Sequence, residues 1–436
     1  MSAYARLLDR ASRPVYPGSA GIFRIGFGLG GLLLVWRFFA RGWVGTLFVE
    51  PAYHFTYPGF EWVRAWPGWG MHAHFALLAL AAVGILIGYR TRFCAAAFAV
   101  LLAYVELIDR SLYLNHYYWM VLTALVLALL PVDRAYSVAS RRIDPARRWI
   151  PVGVVWLLRF QVGMVYFFAG LAKINSDWLV HGEPLATWLP ARADLPMIGP
   201  LLAYPVSALV ASWLSAIFDL TIVWWLSHRR TRLVAFVVAA TFHLFTWILF
   251  PSIGLFPLLM TLSALVFFEP DWPTRLIPVP ASPGSFSGHR VRPGWAALTL
   301  VYVAVMLVVP LRHYFIPGDV KWTGEGYLGS WQVMLSEKSG SASFLVTDPA
   351  GVATWRVPPP GYLTPRQQVV MATDPIMIKQ VADLISEDLG GAQVAADVVL
   401  SFNGRISIQY TDPTVDLSAV SIGDQSRDWL EPAPGW

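Results

Sequence analysis

Nine stretches of this chain are apolar over about the length needed to cross a hydrocarbon layer. They lie at 19–40, 72–88, 93–109, 115–131, 151–172, 203–226, 232–249, 251–268 and 294–312. A spanning helix needs about 20 such residues, and inside lipid its backbone N–H and C=O groups must bond within the segment. The pattern predicts an integral membrane α-helical bundle of about nine apolar helices with a small α+β C-terminal extramembrane domain. Two of the runs are joined only by "FPSIG", where Pro251 and Gly254 suit a tight reversal or a re-entrant bend.

Basic residues in the short loops give the expected orientation. With the N-terminus inside, the inner segments carry 16 Lys or Arg, including "YRTR" (89–92), "DRAYSVASRRIDPARR" (133–148) and "SHRRTR" (227–232), and the outer loops carry 5. The expected N-terminal tail, 1–18, is cytoplasmic and holds Arg6, Arg10 and Arg13; no small-residue cleavage site follows closely, so the first helix is expected to be retained. A net charge of +5 over a composition 56% hydrophobic and 14% charged does not point to nucleic acid, because the arginines flank apolar runs and form no stripe. The single cysteine, Cys94, cannot form an internal disulfide.

After the expected transmembrane domain (19–313), "SASFLVTD", "ATWRV" and "GRISIQYTD" alternate as strands do, and "DPIMIKQVADLISEDL" (374–389) has helical spacing. Residues 320–436 are expected to form an outer-face α+β domain contributing to substrate binding. The segment "PVPASPGSFSG" (278–288) reads as a flexible linker.

Polar side chains within lipid are costly and therefore informative. Lys173 ends the run "VYFFAGLAK"; a continuous helix from Pro151 puts it roughly 33 Å from the inner boundary. It is either a snorkelling anchor or a base, since an amine partly shut off from water is neutral for a useful fraction of the time. Asn115 and His116, in "YLNHYYW" (113–119), are expected level with it, so that the three could grip a hydroxylated ring. His243 falls about eleven residues into its span. Arg159 and Asp219 are each roughly seven to nine residues from the inner end of their own helix, which predicts a buried ion pair locking two helices. "GFGLGG" (26–31) reads as close helix packing, not a nucleotide loop. "HAH" (72–74) lacks a third ligand at the expected spacing, so no metal is expected. His54 and Glu61 read as interfacial packing in an aromatic loop.

Five segments in order, "LLRFQVGMVYFFAGLAKINSDW" (157–178) among them, with "YLNHYY" (113–118), "TFHLFTWILFPSIGLFP" (241–257), "GYLGSWQVML" (326–335) and "FNGRISIQYTDPTVDL" (402–417), resemble the vitamin K-dependent gamma-carboxylase family and its bacterial homologues. The resemblance implies an enzyme of the lyase class. It oxidises vitamin K hydroquinone with O2 to the epoxide, and the strong base formed removes a γ-proton from a protein glutamate, which then takes up CO2. It implies Lys173 as the base toward the hydroquinone, His116 with Asn115 as the active-site His–Asn pair, and Tyr166 near the quinone. Tyr327, Trp331 and Met334 fall in the segment tied to glutamate and quinone binding, and His243 is grouped with the quinol site.

Departures from the animal enzymes are also visible. Ala172 and Lys173 stand where those have two lysines, and one cysteine cannot form their disulfide. The extension that helps hold propeptide substrates is expected to be missing. Chain size points to a bacterial inner-membrane homologue using menaquinol. The expected partners are membrane lipid, a glutamate-containing protein or peptide and a quinone-epoxide reductase, with no nucleic acid. Quinol epoxidation without carboxylation, and a non-enzymatic scaffold or transporter, are the alternative readings.

Overall fold

The computed structural model describes residues 2–277, 291–421 and 428–435, so the expected linker at 278–288 lies outside the described residues. The apolar runs become helices α1 (Gly18–Ala40), α2 (Gly70–Ile87), α3 (Thr91–Ile108), α4 (Asn115–Leu129), α5 (Val152–Ala172), α6 (Pro205–Ser227), α7 (Arg232–Leu249), α8 (Phe256–Ala264) and α9 (Pro293–Val308). Among the described residues seven helices are long and apolar enough to cross a membrane; α4 and α8 are shorter. Helix α4 stops before Pro131, whose ring cannot continue it. Helix α8 is short because Pro251–Ile253 forms a separate 3-10 turn and Gly254 takes φ 74°, so the chain reverses before Phe256.

Successive helices α1 to α4 pack as neighbours, and α5 packs on α6. The glycines of "GFGLGG" permit the α1–α2 approach: a Cβ on Gly28 would lie 2.6 Å from the Leu86 backbone nitrogen. The same device joins α5 to α6. A Cβ on Gly163 would meet Val223 at 3.0 Å, and one on Gly170 would meet the Leu220 nitrogen at 2.9 Å and Asp219 Cβ at 3.0 Å. Small residues let two backbones come together where lipid offers no hydrophobic drive.

Beyond α9 lies an antiparallel sheet of β1 (Lys338–Thr347), β2 (Thr354–Val357), β3 (Gln393–Phe402) and β4 (Ile408–Gln409), in the order β2-β1-β3-β4. Along β3, Val394, Ala396, Val398, Leu400 and Phe402 are buried at every second position, which gives the sheet its core face. Helix α10 (Pro375–Asp388) packs on that sheet, and Asp374 caps it by accepting from the Ile376 and Met377 N–H groups.

The sheet domain is bolted to the loops at one end of the bundle. Arg110 reaches Asp374 at 3.0 Å, and Gln367 Nε2 donates to the Tyr53 carbonyl at 2.8 Å. On the other side Asn403 Nδ2 and Arg405 Nη2 each donate to the Asp177 carboxylate at 2.7 Å. This second anchor stands four residues after Lys173.

Candidate active site

Helices α5, α6 and α7, the turn before α8 and residues Val333 and Met334 line a largely apolar pocket. Its wall carries Tyr166, Lys173, Asp219 and His243 among aromatic and aliphatic side chains such as Trp178, Phe242, Phe250 and Phe256. The lining is that of a small-molecule site: mostly hydrophobic, with a few placed polar groups.

Lys173 is the C-cap of α5 and is 6% exposed. Its Nζ donates to Asp219 Oδ2 at 2.5 Å and stands 5.1 Å from the centre of the Trp178 ring. Trp178 is held in turn by its indole N–H, which donates to the Ser212 carbonyl at 2.8 Å. The stretch after the lysine is therefore a built support. Asn175 caps the turn by accepting from the Trp178 N–H, Trp178 backs the amine, and Asp177 anchors the sheet domain.

The expected Arg159–Asp219 pair does not form. Arg159 donates to the carbonyls of Val266 (3.0 Å), Phe267 (3.1 Å) and Phe268 (2.9 Å), which the 3-10 turn after α8 leaves free. Counting depth from each helix's own end assumed level ends, and the glycine seam sets a different register. The Gly170–Asp219 contact lies roughly 27 Å along α5 from Val152 but roughly 12 Å along α6 from Ser227. Asp219 therefore meets the far end of α5, where Lys173 is.

Two turns earlier on the same face of α5, Tyr166 is hydrogen-bonded to His243, Oη to Nε2, at 2.7 Å, and both are buried. His116 is buried behind Phe256, whose ring centre lies 6.2 Å from that of His116 and 6.5 Å from that of His243. Its Nε2 has no hydrogen-bond partner among the described residues. Asn115 accepts from the Tyr113 hydroxyl at 3.2 Å, and its Nδ2 faces Tyr327 Oη at 3.4 Å and the Gln332 carbonyl at 3.5 Å.

The sequence-predicted residues thus form two adjoining groups. Lys173, Tyr166, His243 and Met334 share the cavity, while Asn115 and Tyr327 form a polar cluster beside it. The segment 326–335 links them, touching Asn115 through Tyr327 and Gln332 and the cavity through Val333 and Met334. Trp331 does not reach the cavity wall; it is 1% exposed and packs on Tyr118 with ring centres 5.4 Å apart. Sequence reasoning missed Trp178 and Phe256. It also missed Gln332, whose contribution through a backbone carbonyl leaves no side-chain signature.

Two family descriptions match the chain: the HTTM domain over residues 12–272, and the vitamin K-dependent gamma-carboxylase lumenal domain over residues 292–435. No solved structure matches it significantly. The first match covers α1 to α8, with Lys173, Asp219 and His243; the second covers α9, segment 326–335 and the sheet domain. This integral membrane protein belongs to the vitamin K-dependent gamma-carboxylase family.

Proposed function

We propose that the protein oxidises a reduced vitamin K-type quinol, menaquinol in a bacterial membrane, with O2 to the epoxide, and couples this to carboxylation of a glutamate side chain. The observation that carries the reading is a buried amine on the wall of an apolar cavity, bonded to a carboxylate and sharing that wall with a tyrosine–histidine pair. The quinol, once bound, supplies the redox chemistry and the strong base it generates. The chain's own residues bind the ring system between Phe242, Phe250 and Phe256, and Lys173 takes the hydroxyl proton. Tyr166 and His243, bonded to each other on the same wall, would offer the bound ring a second polar contact. The aromatic wall excludes water that would quench a strong base. His116, beside Phe256, is the second catalytic group, and Asn115 next to it is a binding group that segment 326–335 touches through Tyr327 and Gln332.

The test is incubation of the purified protein with reduced menaquinone, O2, labelled bicarbonate and a glutamate peptide. The expected outcome is epoxide together with label in the peptide. Epoxide without label would restrict the activity to quinol epoxidation, and neither product would refute the proposal.

A further inference from the structure

We propose that Asp219 is a positioning residue for the base: its carboxylate aims the Lys173 amine into the cavity and stabilises the ammonium formed when that amine takes a proton. This rests on the quinol-oxidising reading above and deepens it. Asp219 is 5% exposed in the interior of α6, and its Oδ2 lies 2.5 Å from the Lys173 nitrogen. A pair serving only to lock two helices would be sealed behind side chains, yet both partners line the cavity. With the carboxylate on one side of Nζ and the Trp178 face on another, the amine's free direction is the cavity itself. The glycine at position 170 brings α6 close enough for this contact. In the transfer the quinol O–H bond breaks and a new N–H bond forms on Nζ, with the electron pair staying on the quinol oxygen. Without Asp219 that step would leave a lone ammonium in apolar surroundings, which is strongly disfavoured; with it, the new charge arises already paired.

The experiment compares quinol epoxidation by the parent protein, Asp219→Asn, Asp219→Glu, Asp219→Ala with and without formate, and Asp219→Asn in the Lys173→Ala background. Loss of an interaction made in the transition state lowers kcat and spares KM. Asp219→Asn is expected to lower kcat about 100-fold with KM for the quinol held within about threefold, a loss like that of one preorganised electrostatic group. Asp219→Glu should recover part of the rate, formate should partly rescue Asp219→Ala, and the double variant should be no slower than Lys173→Ala, since the two residues act as a unit. Should Asp219→Asn fail to fold, Asp219→Glu and the formate rescue carry the decision. A variant with the parent kcat, a loss confined to KM, or absence of both rescues would overturn the inference while leaving the proposed function standing. A parent protein that forms no epoxide overturns the proposed function and this inference with it.

Discussion

Lys173 has neighbours that decide what its amine can do: a carboxylate at 2.5 Å, a tryptophan face at 5.1 Å and an apolar cavity. An interfacial anchor would instead have its charged head in water. Replacing Lys173 with arginine should therefore abolish epoxide formation as fully as alanine does, because a guanidinium stays protonated; product analysis of the two variants checks this, and a fully active Lys173→Arg would mark the residue as an anchor. The lysine was legible in the sequence because a charge terminating a long apolar run is costly and visible. Its partner was not. Arg159 and Asp219 are equally far from their own helix ends, and helix length alone does not say that the ends are staggered.

Between elements, the decisive feature is the seam of Gly163 and Gly170 on α5 against Asp219, Leu220 and Val223 on α6. Gly170→Val would force the helices apart where the Lys173–Asp219 contact depends on their spacing. The expected cost is about 1–3 kcal/mol of stability from overpacking, with at least about a tenfold fall in epoxidation, since misplacing a catalytic group by about 1 Å is that costly. Gly294→Ala is the control, because a Cβ there meets nothing; thermal unfolding and product formation on both variants make the comparison. The nine apolar runs were legible as helices because their periodicity and length are local properties. The two short members, α4 and α8, were not distinguished, since apolar content continues up to Pro131 after α4 and through the Pro251–Gly254 turn that precedes α8. In the sheet domain β3 was missed: its alternation is blurred by Ala395–Ala396 and Val398–Val399, although it pairs with β1 over ten residues.

On the scale of the whole molecule, two bodies meet where Asp177 receives Asn403 and Arg405. Asp177→Ala leaves the Arg405 guanidinium without its largely buried bidentate partner, a change that costs about 3–5 kcal/mol in comparable pairs. The expected outcome is faster proteolysis of the sheet domain and a larger loss of peptide carboxylation than of epoxidation. The sheet domain also carries a pH signature in Lys338. Burial pushes its ammonium down to about 8 from the ordinary lysine value, against the opposing charges of Asp374 and Asp319, while Nζ donates to the Trp322 carbonyl at 2.6 Å. The unfolded chain then binds more protons than the folded one above pH of about 8 and below the ordinary lysine range, so this group's contribution to stability rises with pH in that window. Lys338→Met should flatten that rise relative to the parent in melting curves taken across it. The sequence made the two-body organisation readable from the change in periodicity near residue 320, but not the docking, which depends on side chains more than 200 positions apart. The role of Lys173 as the base is tested most directly by epoxide formation from reduced menaquinone by Lys173→Ala, with and without a small exogenous amine. The prediction is a rate below about 1% of the parent, the scale of loss seen when a general base is removed, and partial recovery on adding the amine; a variant that forms epoxide at the parent rate would contradict it.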